Sequence, residues 1–261
     1  MQWRNYLILK GHLARRILYR GSSVACPCCG LTARRFMAHH NRRDALCPHC
    51  LSEERHRALK LFLLAWLTSG SRHILHIAPE ASLRRWLEQQ PGVSYVTADF
   101  HRQNVDLRFD LEQIPFCNAS FDAIIASHVL EHVPDDRGAM SEMLRVLRPG
   151  GTLVAMVPID ASRELTFEDS SIASPSAREA AYWQADHVRL YGTDFATRLA
   201  DAGFDVRLAR PSEQVTAEEA RRYGLHADPA VFRRLPLAPP DEIFVATKPV
   251  EAPGAVSARG A

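Results

Sequence analysis

The stretch from 120 to 159 constrains the fold of this chain most strongly. It begins with a buried-strand pattern over 121–126 and, after a polar break, continues with methionine and leucine at helical spacing over 140–147. The Pro-Gly-Gly turn at 149–151 is expected to stop that helix, and a second apolar strand follows over 152–157. Strand, helix and strand in this order predict a right-handed crossover in a parallel sheet.

The composition fits one α/β domain with a small appendage. The chain has 261 residues, of which 46% are hydrophobic, and its net charge of +2 implies no strong overall attraction to nucleic acid. No apolar run approaches the roughly 18 to 20 residues that span a bilayer. The apolar run at 6–9 is too short for a signal peptide, so we expect a cytoplasmic protein.

Cysteine spacing predicts a metal site near the N-terminus. Cys26 and Cys29 form one C-x2-C pair, and Cys47 and Cys50 form another. Each pair can aim two thiolates at one point, and four sulfurs in a tetrahedron suit zinc. Cys28 and His49 are alternative ligands that break this spacing. Because no open ligand position is apparent, we expect structural rather than catalytic Zn²⁺.

Two basic segments near the N-terminus have alternative interpretations. Residues 2–20 predict an amphipathic helix, which either packs on its own domain or binds an anionic membrane surface or a partner. The segment between the cysteine pairs resembles a zinc ribbon. It either contacts phosphate or RNA, or is a solvated hairpin. Its basic residues are Arg34, Arg35, His39, His40, Arg42 and Arg43. A helix over 52–68, capped by Ser52, is expected to dock this module onto the following domain.

The central stretch resembles a known enzyme family. FDAIIASHVLEHVPD followed by LRPGGTLVAMVP is similar to the fourth and fifth strands of class I methyltransferases that use S-adenosylmethionine, and closest to their type 11 branch. The resemblance covers roughly 70 to 248. It implies an α/β fold with a doubly wound, seven-stranded, mostly parallel sheet, and S-adenosylmethionine as cofactor. We therefore expect an N-terminal module over 1–69, a methyltransferase domain over 70–249 with a substrate lid at 160–190, and a disordered tail over 250–261.

The first loop of the predicted domain departs from the family pattern. The family has an acid and a glycine-rich turn after its first strand, whereas this chain has His76 in place of the acid and Ala78, Glu80 and Ser82 in place of glycines. Short side chains still allow a close backbone approach to a cofactor. Glu80 is a candidate for accepting the cofactor's ammonium group directly. The alternative is a pocket that has decayed or binds something else.

Further cofactor residues are predicted at the ends of the next strands. Asp99 ends strand two, where a carboxylate can bind both ribose hydroxyls. The third strand is predicted over 105–111. The resemblance implies that Asp110 and Leu111 meet the adenine, with Asp106 as the alternative if the strand is shifted. Ser127 and His128 lie at the carboxyl end of strand four, on the ligand-binding edge of such sheets.

Two histidines are the candidate catalytic residues. His187 begins a His-x-Arg-x-Tyr sequence that the family places just before its last helices, and neutral imidazole can act as a base near pH 7. His132 follows strand four and is a second candidate. In the alternative interpretations His187 pins the lid, and the strand-four histidines cap the helix or contact the cofactor.

The resemblance implies methyl transfer to O or N of a small molecule, such as a sugar or secondary metabolite. One alternative is an RNA methyltransferase that uses the zinc module to contact RNA, although the modest net charge does not favour a nucleic-acid partner. Another is a non-catalytic cofactor-binding or scaffold protein, suggested by the altered first loop. The acceptor and the oligomeric state are not set by the sequence.

Overall fold

The computed structural model describes residues 11, 13–39, 42–67, 72–225 and 237–250. The N-terminal module contains two small antiparallel pairs: β1 (Val24–Ala25) with β2 (Thr32–Ala33), and β3 (Met37–His39) with β4 (Arg42–Leu46). Helix α1 (Glu54–Trp66) leads from this module into the main domain. Cys26 and Cys29 lie in the loop between β1 and β2, and Cys47 and Cys50 lie between β4 and α1.

The main domain is built on a seven-stranded sheet. Its strands are β5 (Arg72–Ile77), β6 (Val93–Asp99), β7 (Leu107–Arg108), β8 (Phe121–Ser127), β9 (Leu147–Met156), β10 (Asp205–Ala209) and β11 (Ile243–Thr247). They lie in the order β10-β11-β9-β8-β5-β6-β7. Strands β5 to β9 pair in parallel, and β11 is antiparallel to both of its neighbours. The predicted doubly wound, mostly parallel sheet is confirmed.

Helices cover both faces of the sheet. They are α2 (Ala81–Leu87), α3 (Asp136–Val146), α4 (Pro175–Tyr182), α5 (Phe195–Asp201) and α6 (Ala217–Tyr223). Leu59, Phe62 and Leu63 of α1 pack with Ile125 on one face. Met140 and Met143 of α3 pack with Phe195 of α5 on the other. Helix α1 therefore attaches the N-terminal module to the sheet through a buried apolar contact.

Three predicted elements differ in the structure. Strand three was expected to run to Leu111, but β7 ends at Arg108. The prediction that Ser52 caps α1 is wrong, because Glu53 and His56 form the capping box there. The turn at 149–151 lies inside β9, where the register with β8 shifts. In each case a contact outside the local pattern decides the boundary.

The N-terminal helix is seen only in part. Residues 1–10 and 12 lie outside the described residues, as does the predicted tail beyond 250. Residues 13–18 are helical, and Leu13, Ile17 and Leu18 are 61%, 70% and 61% exposed. The apolar stripe of these turns is thus not covered by the described part of the domain. Among the described residues, no helix has the length and apolar character needed to cross a membrane.

Candidate active site

Strands β5 and β8 lie side by side in the sheet. After β5 the chain forms β6 and β7 on one side of this pair, and after β8 it forms β9 on the other, so the strand order reverses between β5 and β8. Ligands of open α/β sheets bind at the carboxyl ends of strands at such a point. A cavity of about 510 Å³ lies there, within the range of small-molecule sites. We call it the strand-end cavity. Its lining includes five predicted cofactor residues: Ala78, Asp99, Asp110, Leu111 and His128.

Ala78 takes a backbone conformation that glycine adopts without strain. Its φ is +49°, a left-handed value that costs an alanine about 1 kcal/mol relative to glycine. Its N–H donates to the carbonyl of Ala98 at 2.7 Å, which fixes the loop against β6. The turn is therefore preserved although its sequence is altered, and only a methyl group projects from it.

His76 and Glu80 form an internal pair. The His76 side chain is fully buried; its Nδ1 lies 2.8 Å from the Tyr95 hydroxyl and its Nε2 lies 3.1 Å from Glu80 Oε2. His56 Nε2 approaches the other Glu80 oxygen at 3.8 Å. Burial alone would raise the pKa of Glu80, but the contacts from His76 and His56 outweigh it and hold this pKa well below its usual range. Glu80 is thus engaged within the protein. Neither residue of the pair lines the strand-end cavity in the described structure.

Asp99 ends β6 with one carboxylate oxygen fixed. Oδ1 accepts the backbone N–H groups of His101 at 2.7 Å and Arg102 at 2.8 Å. Oδ2 lies 3.3 Å from the Arg102 guanidinium, and the Arg102 side chain is 55% exposed. The carboxylate is therefore held in place, and its second oxygen faces Arg102, whose guanidinium also donates to the carbonyl of Pro79 at 3.2 Å.

The structure separates the two candidate acids of strand three. Asp106 accepts from both the N–H and the hydroxyl of Thr97, at 2.8 and 2.6 Å, and so anchors β7 to β6. Asp110 lines the strand-end cavity and accepts the N–H of Glu112 at 3.0 Å. Of the two, Asp110 has the position that a cofactor contact requires. Ser127 is buried and does not line this cavity.

A second cavity, of about 580 Å³, adjoins the first. We call it the lid cavity. It shares Arg102, His128, His132 and Asp186 with the strand-end cavity, and its own lining includes Trp183 and His187 of the predicted lid. The N-terminal module also contributes to it, as do residues before β11. These contributors are His39, Arg42, Glu53, Pro239 and Glu242. No local pattern of the sequence indicated that the module reaches this cavity.

The two candidate catalytic histidines are in contact. The rings of His132 and His187 meet edge to face with centroids 4.7 Å apart. His187 Nδ1 lies 3.0 Å from the carbonyl of Tyr182, and His132 Nδ1 lies 3.3 Å from the carbonyl of Asp186. Because a carbonyl can only accept, Nδ1 carries a proton in both rings and each Nε2 is the available lone pair. Burial lowers the pKa of His187, and the nearby Glu131 partly opposes this.

Arg189 fixes the loop that carries His132. It is 3% exposed, and its guanidinium donates to the carbonyls of Leu130, Val133 and Pro134 and to Glu168. Two residues on, the Tyr191 hydroxyl donates to a carboxylate oxygen of α3. This acceptor is Asp136, which also binds Arg198 at 2.8 Å. The His-x-Arg-x-Tyr sequence thus joins the lid to the strand-four loop. The sequence pattern located these residues but did not reveal this role.

The four predicted thiol ligands converge in the N-terminal module. The sulfurs of Cys26 and Cys50 are 3.6 Å apart, and those of Cys29 and Cys47 are 3.8 Å apart. The Ser52 hydroxyl lies 3.1 Å from the Cys26 sulfur, which explains why it does not cap α1. Both alternative ligands make other contacts. Cys28 faces the carbonyl of His56 at 3.4 Å, and His49 Nε2 faces that of Thr32 at 3.0 Å.

Comparisons with known proteins agree with this fold. A 16% identical S-adenosylmethionine-dependent methyltransferase from Mesorhizobium loti superposes with a TM-score of 0.50, over 73% of this chain and 98% of that one. The [4+2]-cyclase SpnF, 18% identical, also gives 0.50, over 75% of this chain and 83% of its own. At such identities the likeness concerns the fold alone.

Sequence comparison finds partial matches to methyltransferases. Demethylmenaquinone methyltransferase from Beutenbergia cavernae is 42% identical over 74 residues, which are 24% of this chain and 31% of that protein. The chain thus spans about a third of the length of the curated relatives it matches. Residues 72–155 match the type 11 family model described as a methyltransferase domain. Residues 72–155 thus match a methyltransferase-domain family, and the sheet to which they belong has the class I methyltransferase fold.

Proposed function

We propose that this protein transfers a methyl group from S-adenosylmethionine to an oxygen or nitrogen of a small molecule. The observation that carries the proposal is the strand-end cavity, which gathers Ala78, Asp99, Asp110, Leu111 and His128 at the switch point of a methyltransferase sheet. When bound, the cofactor supplies a methyl group already activated by a positive sulfur. The chain's task is then to align the acceptor and exclude water.

The lining of the strand-end cavity fits a nucleoside. Asp99 Oδ2 is the oxygen that we assign to the ribose hydroxyls, because Oδ1 is occupied by two backbone N–H groups. Asp110 and Leu111 are assigned to the adenine side. Ala78 lets the backbone approach the rest of the cofactor. His76, Glu80 and Ser127 are assigned a supporting role, since they shape the loops from outside the cavity.

The lid cavity is the proposed acceptor site. It adjoins the strand-end cavity through His128 and His132, so a molecule held there meets the methyl group at the junction. His187 and His132 are the proposed catalytic residues, because their Nε2 atoms can receive the proton of an acceptor hydroxyl. A neutral amine would need less assistance.

A small acceptor is favoured over RNA by the charges around this cavity. Arg42 pairs with Glu53 at 2.7 Å and with Glu54 at 2.9 Å, so its charge is already compensated. Three arginines and four carboxylates of the described residues line the cavity, so the lining has no net positive charge. Such a surface disfavours a phosphate backbone.

We also propose that Cys26, Cys29, Cys47 and Cys50 hold a structural Zn²⁺. Four thiolates at Zn–S distances of about 2.3 Å in a tetrahedron stand about 3.8 Å apart. The sulfur separations of 3.6 and 3.8 Å support this donor set. The ion would fix the module whose residues line the lid cavity.

Calorimetry with S-adenosylmethionine tests the central proposal. The wild-type protein is expected to bind it, and Asp99→Asn to bind it roughly tenfold more weakly, since one charged hydrogen-bond acceptor is lost. Asp205→Asn, an exposed change on β10, is the matched control and should bind normally. Absence of binding at near-millimolar cofactor would favour the scaffold interpretation. Release of the demethylated cofactor with a panel of hydroxyl and amine acceptors would identify the substrate class.

A further inference from the structure

Three potential metal ligands converge where the two cavities meet. The nearest ligand atoms of Glu131, His132 and His187 all lie within 4.8 Å of one another. Glu131 and His132 belong to the 3₁₀ turn at Leu130–His132 that follows β8, and His187 belongs to the lid. The N–H of Val188 donates to the carbonyl of Glu131 at 2.9 Å, which ties the two segments together. The backbones of the two segments are therefore joined next to the three side chains.

Glu131 is in an unusual environment for a carboxylate. It is fully buried, and within the described part of the chain neither of its oxygens receives a hydrogen bond. The nearest basic group is His128, whose Nδ1 lies 3.2 Å from Oε1 outside hydrogen-bonding geometry. A fully buried carboxylate whose ion-pair partner among the described residues is a single imidazole is only partly compensated for its loss of water. This observation indicates that a positively charged species belongs beside it.

Both histidines are oriented as metal ligands usually are. Metal-binding histidines donate their second ring N–H to a carbonyl or carboxylate, which fixes the tautomer and points the other nitrogen at the ion. His187 Nδ1 meets the Tyr182 carbonyl at 3.0 Å, and His132 Nδ1 lies 3.3 Å from the carbonyl and 3.4 Å from the carboxylate of Asp186. Each Nε2 is thereby left as the ligand atom.

We infer that Glu131, His132 and His187 bind a divalent first-row transition-metal ion at the junction of the two cavities. Two imidazoles and one carboxylate suit Zn²⁺, Fe²⁺ or Mn²⁺ and leave coordination positions open. Ligand distances of about 2.0 to 2.2 Å require the three groups to close slightly. The His132 side chain is 32% exposed and has room to turn.

This site is distinct from the four-cysteine site in composition and place. Its use in the reaction rests on the proposed function, since a hydroxyl bound to such an ion loses its proton more readily. The two histidines would then act on the acceptor through the ion instead of as free bases. Metal binding itself does not depend on methyl transfer and is measured separately.

Metal analysis of the full-length protein tests the inference. Wild type loaded with Zn²⁺ and dialysed should retain two equivalents per chain. Glu131→Gln, which keeps the size of the side chain and removes its charge, should retain one. The matched control Glu88→Gln changes an exposed residue and should retain two. Equal metal content in wild type and Glu131→Gln would overturn the site.

Cobalt supplies a second readout that does not depend on activity. Co²⁺ added to wild type that carries one equivalent of Zn²⁺, held by the four cysteines, should give a spectrum of nitrogen and oxygen ligation without thiolate charge transfer, and should raise Tm. Glu131→Gln should bind Co²⁺ more than tenfold more weakly. If that variant fails to fold, His132→Asn replaces it with the same expectation. Normal cofactor binding with no second metal would refute only this inference, whereas metal binding without cofactor binding would refute only the proposed function.

Discussion

Arg189 donates to the backbone carbonyl of Leu130 at 2.9 Å, although 59 positions separate them in the chain. With its further bonds to Val133 and Pro134, this buried guanidinium holds the whole strand-four turn against the lid. The positions of His132 and His187 therefore depend on a residue that lines neither cavity in the described structure.

Replacing Arg189 should loosen this junction. Arg189→Lys keeps the charge but cannot reach several carbonyls at once, so we expect a loss of about 2 to 4 kcal/mol in the free energy of unfolding. Urea denaturation measures this. Arg207→Lys, an exposed change on β10, should be neutral. Equal stability of the two variants would show that Arg189 does not hold the turn.

Substitution of Ala78, whose backbone is left-handed, by glycine should not lower the free energy of unfolding. Ala78→Gly removes the strain at φ +49° but adds freedom to the unfolded chain, so the free energy of unfolding should stay level or rise by up to about 1 kcal/mol. Ala180→Gly, exposed in α4, should lose about 1 kcal/mol. Thermal denaturation compares the pair, and equal losses in both would mean that the Ala78 backbone is unstrained.

The thiol cluster predicts selective effects of cysteine substitution. Cys47→Ser should release one metal equivalent and destabilise the N-terminal module, because thiolate ligation and folding are coupled. Cys117→Ser changes an exposed cysteine far from the cluster in sequence and should leave metal content unchanged. Cys28→Ser should also keep its metal, since Cys28 faces the His56 carbonyl. Metal loss in Cys28→Ser would mean that this thiol is a ligand.

The Glu80 carboxylate predicts a pH-dependent contribution to stability. Because the folded state holds the pKa of Glu80 below its usual range, this contribution is fully present above the ordinary carboxyl pKa of about 4.3 and is lost as pH falls through the folded-state value. Wild type should therefore exceed Glu80→Gln by about 1 to 3 kcal/mol at pH 7. Denaturation from pH 7 to pH 2 should show this difference shrinking, and a constant difference would argue against the ionised pair.

The periodic elements of the domain were predictable from sequence, and several polar roles were not. Strand β8, helix α3 and the apolar part of β9 follow from the pattern over 120–159, because burial there repeats with the period of each element. The end of strand three was misplaced because Asp106 uses its carboxylate on Thr97. The sequence predicts that Ser52 caps α1, but in the structure the Ser52 hydroxyl lies beside the Cys26 sulfur. Which of several possible partners such a residue binds depends on tertiary contacts that the local sequence does not show.

In the candidate site, too, some residues were predictable from sequence and some contacts were not. Asp99 and His128 were predicted by counting strand ends, which works because parallel strands finish at one edge, whereas Asp110 was predicted from the family resemblance. The pairing of His76 with Tyr95 and the reach of Arg42 into the lid cavity join segments with no common pattern. Neither the composition nor the residue spacing of the sequence indicates these contacts.

The lid cavity takes part of its wall from the cysteine-bearing module, while the strand-end cavity is lined by the main domain. Under the proposed function, the acceptor and the methyl donor would therefore be recognised by largely separate stretches of the polypeptide. Relatives with exchanged or rewritten first fifty residues would keep the donor and change their target, and oxidants that attack the thiols would disturb target choice before they disturb donor affinity.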